Sequence, residues 1–542
     1  MSSFSSKAFT PHDLWQNWPE ARLETTAAPC LGHSLLMQRM QVLKSWYPDS
    51  IKLEEVGKSF LGRPIKMLTM GKGDKKILFW SQMHGDEPSA TPALLDIANF
   101  LLEHADDPVA QSILEQYTLL MIPMLNPDGA EIYKRRNAQG IDVNRDALQL
   151  STPEGRILKR VRDEHEPMLG FNLHDQDRRV SVGTTGLLAT NAVLAVPGDA
   201  ANTLTPGREL TRRASAAIVE ALAPFMPGGM ARYPEDWSPR AFGDNIAAWG
   251  TPVVLIESGG LPPGRDFSVL TRLNFVAILT VLAGLAHDDL ASYDPQVYDN
   301  LPRNESDKWS DVVFRGAYIR QPASDEPFRA DLAFDVLRSD RQLAGCSENP
   351  IIPSRIFMIG DASLHGAGVS IDASDSLLLA PFDVGVRGWS KRHWFENDGL
   401  SRFAGLGVGT IYWAVGKRHN TEAKTFARQL RMQGLPRIKV LSKPVRFPRI
   451  VFSEQPSQDA PVGLGGILVR LGVENPERVE AIEQLWMKTA EDEAGSPRLH
   501  KKLPASFLVV SPVSNGHVDI KTARLSSVWL DGQQVDLNSG SG

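Results

Sequence analysis

Four short apolar runs constrain what this chain can fold into. They cover residues 76–80, 117–124, 169–173 and 251–256, and each gives way to polar or ionisable groups. A continuous apolar run of this length reads as a strand covered on both faces. Helical rhythm follows at 88–102, 153–165, 207–223 and 268–286. Strands alternating with helices call for an α/β fold, with the sheet in the middle and helices on both sides. Two more strands are predicted at 51–56 and 65–70, punctuated by Gly62-Arg63-Pro64 and Gly71-Lys72-Gly73-Asp74. A helix over 33–46 precedes them, with Leu36, Met40 and Leu43 in its apolar rhythm.

The ends of these strands carry the chemistry. In open α/β sheets, sites gather at the carboxyl ends of strands. The turn after 76–80 reads Ser81-Gln82-Met83-His84-Gly85-Asp86-Glu87, and a His and a Glu three apart are a ligand pair that suits zinc. The run 169–173 ends at His174, and 251–256 ends at Glu257. A zinc hydrolase commonly uses three protein ligands and leaves one position for water. His84, Glu87 and His174 supply such a set, and Glu257 is placed to act as a base on that water. Between the second and third strands lies a loop with Arg135, Asn137, Asp142, Asn144 and Arg145, groups able to grip an anionic substrate end. The chain has two cysteines, Cys30 and Cys346, which excludes a cysteine-rich metal site or a disulfide framework. A reducing cytoplasm is the simplest home for such usage.

In chain order, His84-x-x-Glu87, Asn126-Pro127-Asp128-Gly129, Arg135-x-Asn137-x-x-Gly140-x-Asp142-x-Asn144-Arg145, His174 and Glu257 resemble the zinc carboxypeptidase family, over roughly residues 45–290. The resemblance implies a mixed central sheet with helices on both faces, and one zinc per chain held by His84, Glu87 and His174. It implies that Asp142 orients His84 and that Arg135 polarises the scissile carbonyl. It further implies that Asn144 and Arg145 bind the terminal carboxylate and that Glu257 is the general base and acid. Tyr233, on a loop before the glutamate strand, matches a substrate-capping tyrosine. Residues around 242–246 are expected to line the pocket that reads the departing side chain.

Residues 1–295 are thus predicted to form the catalytic domain and 296–310 a linker rich in Pro, Asn and Asp. Residues 311–542 are predicted to form a β-rich, noncatalytic accessory domain. Parts of it, such as Asp311-Val312-Val313-Phe314-Arg315 and Leu379-Ala380-Pro381-Phe382-Asp383, resemble the small β-sandwich of amidohydrolases. That family's His-x-His after the proline is missing, the position reading Asp383-Val384-Gly385-Val386-Arg387. Helices are expected at 420–432 and 476–489.

A net charge of −6 argues against general attraction to nucleic acid or to acidic membranes. No secretory pattern opens the chain, and no apolar run is expected to reach the length of a membrane span. The expected activity is zinc-dependent hydrolysis of a C-terminal peptide bond in a substrate with a free carboxylate. Its rivals are deacylation of an N-acyl amino acid, in the manner of aspartoacylase-like enzymes, and a noncatalytic binding module. No oligomeric state is implied.

Overall fold

The structure is a computed structural model. It describes residues 9–23, 25–261, 266–320, 328–336, 354–372, 377–379, 382–387, 408–415, 417–431, 437–441, 508–510, 528–530 and 533–535. The chain divides into two units, one over Met1–Trp309 and one that starts at Ser310.

The first unit is built on an eight-stranded sheet. In chain order its strands are β1 Ile51–Lys58, β2 Pro64–Met70, β3 Lys75–Ser81, β4 Tyr117–Ile122, β5 Leu169–Asp175, β7 Asn191–Ala195, β8 Met230–Arg232 and β9 Val253–Ser258. A separate short strand, β6 Ser181–Val182, pairs with β10 Asn304–Glu305. The spatial order is β1-β2-β4-β3-β5-β9-β7-β8. β3, β4, β5 and β9 run parallel as neighbours, whereas β1, β2 and β7 introduce antiparallel pairs. The sheet is therefore mixed.

Two cores explain the continuous apolar runs. Ile77 and Phe79 on β3 join Phe171 and Leu173 on β5, and Val254 and Ile256 on β9, in one buried cluster. The alternate residues Leu78, Trp80, Val253 and Leu255 join a second cluster. Strand side chains alternate between faces, so a strand covered on both sides must be apolar throughout. The first face is covered by helices that include α3 Ala90–Glu103, α7 Pro206–Leu222 and α9 Ser268–Ala286, and the second by α6 Pro153–His165 and α8 Phe242–Ala248. Capping fixes where helices start. Thr152 and Thr205 accept bonds from Gly155 N and Arg208 N, with proline next in line at α6 and α7.

Two expectations need correction. α9 has 19 residues and is long and apolar enough to cross a membrane, yet 78% of its most apolar window is buried inside the fold. Its apolarity follows from its place in the core. The segment 296–310 is not a free linker. Tyr298, on α10 Pro295–Asp299, is fully buried, and β10 is paired with β6 inside the first unit. Cys30 is disulfide-bonded, while Cys346 lies outside the described residues.

The described part of the second unit is rich in strands. β11 Trp309–Arg320, β12 Phe328–Val336, β13 Ser354–Gly360, β14 Gly366–Asp372, β15 Leu377–Leu379 and β19 Leu508–Val510 share one sheet. A second sheet is parallel throughout: β16 Phe382–Arg387, β17 Val408–Ala414 and β18 Arg437–Leu441, with the helix Asn420–Arg431 between the last two. That crossover is an α/β element, absent from a plain sandwich. The remaining pair is β20 Val528–Leu530 with β21 Gln533–Val535. The helix expected at 476–489 lies outside the described residues.

Candidate metal and substrate site

The turn after β3 is shaped by backbone packing. A Cβ on Gly85 would lie 2.0 Å from the carbonyl carbon of Gly129, so only glycine fits there. Gln82 adopts a left-handed φ of 51°, a costly conformation that neighbouring contacts must hold. Its side chain supplies two of them, donating to Gly85 O at 3.0 Å and accepting from Thr91 Oγ1 at 3.0 Å. Asn126 joins this turn to the Asn-Pro-Asp-Gly turn. Its Oδ1 caps the short helix α5 Pro127–Glu131 through Gly129 N, and its Nδ2 donates to Met83 O at 3.2 Å. Two motifs, joined here by a bond between residues 43 positions apart in the chain, thus form one backbone assembly.

On this base three donor side chains converge. The candidate ligand atoms of His84, Glu87 and His174 lie within 4.8 Å of one another, and all three residues are buried. Nδ1 of His84 is 2.7 Å from Glu87 Oε1, and Nδ1 of His174 is 2.6 Å from Glu87 Oε2. Two imidazoles and a carboxylate fit a zinc ion in number and type. The far nitrogen of His84, Nε2, meets Asp142 Oδ1 at 3.0 Å, the outer contact that fixes ring orientation in metal sites. Nε2 of His174 is buried with no such partner. Arg135 lies across the group, with Nε 3.0 Å from Asp142 Oδ2 and Nη1 3.1 Å from Glu87 Oε1.

The charges follow from this geometry. Burial raises the Glu87 carboxyl, but His84 and His174 outweigh it and hold Glu87 well below the carboxylate range. Burial also opposes the ionised form of Asp142, and is overridden by His84 and Arg135, so its pKa is lowered. His84 is lowered by burial and raised by Glu87 and Asp142, with a net rise. His174 lacks the second carboxylate, so burial wins and its pKa falls. Glu257 is buried too, and its pKa is raised by burial, then by Glu87 and Asp175.

Register brings Glu257 to the cluster. It pairs with His174 across the parallel strands β5 and β9. Glu257, with His84 and Glu87, lines a cavity of about 510 Å³, and His174 sits behind that wall on Glu87. That cavity is also lined by Arg135, Asn144, Arg145 and Tyr233, while His174 and Asp142 reach the group through Glu87 and His84 rather than through the cavity wall. Asp142 sits behind His84. Asn144 commits its Oδ1 to the Phe242 amide at 2.8 Å, and Arg145 Nη1 donates to Asn144 O at 2.7 Å. Tyr233 has a raised pKa, from the charge of Glu257 first and burial second.

Another expectation fails. Residues 242–246 do not line the cavity, and Phe242 and Ile246 are fully buried in the second core. The wall after His174 is made instead by Asp175, Gln176, Asp177 and Val180, with Asn304 and Ser306 from the expected linker. Asn304 Nδ2 donates to Gln176 Oε1 at 2.7 Å. Asp86, inside the opening motif, also lines the cavity. Its position between the two ligands was the available signal. Asn304 and Ser306 carry no local signal, because only the return of the chain brings them here.

The chain is similar to known proteins over part of its length. Residues 36–160 match the family described as zinc carboxypeptidase, a stretch that holds His84, Glu87 and the Arg135–Arg145 loop but ends before His174 and Glu257. Carboxypeptidase SOL1 of Arabidopsis thaliana is 36% identical over 151 residues, covering 27% of this chain and 30% of that protein. Gamma-D-glutamyl-L-diamino acid endopeptidase 1 of Lysinibacillus sphaericus is 28% identical over 106 residues, covering 18% of this chain and 26% of that one. The matches thus span less than a third of the length of these relatives. Among solved structures, a metallo-carboxypeptidase from Burkholderia cenocepacia aligns with 20% identity and a TM-score of 0.38, covering 46% of this chain and 69% of that one. The part of the chain that carries the first two candidate ligands, residues 36–160, is thus similar to the zinc carboxypeptidase family.

Proposed function

We propose that the first unit hydrolyses the C-terminal amide bond of a peptide with a free carboxylate, with one zinc per chain held by His84, Glu87 and His174. The observation that carries this reading is the pairing of Glu257 with His174, which sets Glu257 in the wall of the cavity that Asn144 and Arg145 also line. A bound zinc supplies a Lewis acid and a water that ionises near neutral pH. Glu257 takes the water's proton and later gives it to the leaving amine, a double duty that suits a buried carboxyl with a raised pKa. Arg135 faces the cavity and offers positive charge where the carbonyl oxygen becomes negative. Arg145 and Asn144 anchor the terminal carboxylate, and Tyr233 covers the bound end.

The deacylation rival shares these parts and differs in the leaving group's partner. Asn126-Pro127-Asp128-Gly129, packed here against Gly85, favours the peptidase reading. The binding-module rival leaves unexplained a buried Glu257 beside the ligand group. The test is to purify the full chain without chelator, measure its zinc, and identify the products from a peptide panel by mass spectrometry. Release of single C-terminal residues by a zinc-loaded chain is expected. Protein without stoichiometric zinc, or cleavage confined to N-acyl amino acids, would overturn the reading.

A further inference from the structure

Tyr233 and Pro234 line the cavity, while the next residue, Glu235, turns away from it and is mostly buried. We propose that Glu235 is a positioning residue that holds Tyr233 in the cavity, through a buried latch to Tyr298. The inference rests on the reading of Tyr233 as a substrate-covering residue.

The loop needs such a device. β8 ends at Arg232, and residues 233–238 have no regular secondary structure. The backbone of the near end is held by Tyr233 N donating to Val193 O at 3.0 Å and Arg232 N to Pro302 O at 2.8 Å. Beyond it, the Glu235 carboxylate gathers partners from separate parts of the unit. Tyr298 Oη donates to Oε1 at 3.1 Å, and Asn202 Nδ2 donates to Oε2 at 2.9 Å. Arg208 on α7 lies 3.5 Å from Oε2, and Arg232 lies 3.7 Å from Oε1. Tyr298 is itself fixed, since it is fully buried and its hydroxyl accepts the Ala195 amide at 3.2 Å. A hydrogen bond to a charged group in a dry setting is stronger than one between neutral groups. One carboxylate therefore ties the Tyr233 loop to α7, to β7 through Tyr298, and to the segment after α9.

The test uses full-length Glu235→Gln and Tyr298→Phe with two readouts. The first is the rate of nitration of Tyr233 by tetranitromethane, mapped by mass spectrometry, which needs no activity. The second is KM and kcat on a peptide with a free C-terminus. Glu235→Gln is expected to speed nitration of Tyr233 several-fold and to raise KM about tenfold, with little change in kcat. In a Tyr233→Phe background the same change is expected to alter KM by less than about twofold, because coupled residues are not additive. Unchanged nitration of Tyr233 in a folded variant would overturn the proposal, as would an equal rise in KM with Tyr233 already replaced. If Glu235→Gln leaves Arg208 and Arg232 unneutralised and does not fold, Tyr298→Phe decides by the same criteria. A wild type that cleaves no peptide would defeat the functional reading, while nitration would still decide the latch.

Discussion

His174 and Glu257 stand side by side, one strand apart, at the same level of the parallel pair β5 and β9. The arrangement sets a candidate ligand beside a candidate base without any loop to position either. Glu257→Gln keeps the shape and removes the base. Turnover is expected to fall about 10²–10⁴-fold, with zinc content unchanged by metal analysis. Undiminished turnover would move the base elsewhere.

Asp142 is the outer partner of His84 and also receives Arg135. Asp142→Ala frees the ring and releases the guanidinium. Zinc affinity is expected to drop roughly 10–100-fold, read by competition with a chromogenic chelator. Equal affinity would mean that ring orientation is set by packing alone.

Arg145 reaches the cavity from a short helical turn, Val143–Arg145, that Asp142 caps through Asn144 N. Arg145→Ala is expected to cost about 1.5–3 kcal/mol of binding to a free carboxylate, seen as a loss in kcat/KM. Amidated peptides, poor substrates for the wild type, are expected to lose little more. Parallel losses on both would show that Arg145 does not read the carboxylate.

Burial raises the Asp244 carboxyl from 3.8 to about 6, against the pull of the Ser238 amide bond. The native state therefore holds a proton that the unfolded chain has already lost. The linked stability is complete below about pH 4 and disappears as pH rises through about 6. Asp244→Asn keeps an acceptor for Ser238 N and cannot ionise. It is expected to raise the melting temperature at pH 8 and to leave it nearly unchanged at pH 4. Identical pH profiles for variant and wild type would disprove the linkage.

The parts of the fold legible in the sequence were those with local causes. The run 76–80 became Lys75–Ser81, and the helix at 207–223 became Pro206–Leu222, because apolar period and a capping threonine act within a few residues. β7, Asn191–Ala195, was missed because it is buried on both faces and too short to show a pattern. β8 has only three residues, and its pairing depends on neighbours far along the chain. The candidate site divides in the same way. His84 and Glu87 share one turn and could be read directly, whereas Asn304 and Glu235 gain their places through tertiary return. Residues 242–246 failed as pocket residues because Asn144 bonds the Phe242 amide beside a fully buried ring.

The return of the chain after α9 sets where the molecule can be cut. A fragment that stops at residue 295 would keep every candidate ligand and the base, and would look intact by motif. It would nevertheless lose Asn304 and Ser306 from the cavity wall, and leave the space of a fully buried tyrosine open beside Ala195. The smallest excised form worth assaying therefore runs through Trp309, and inactivity in a shorter one would speak of a missing wall rather than of missing chemistry.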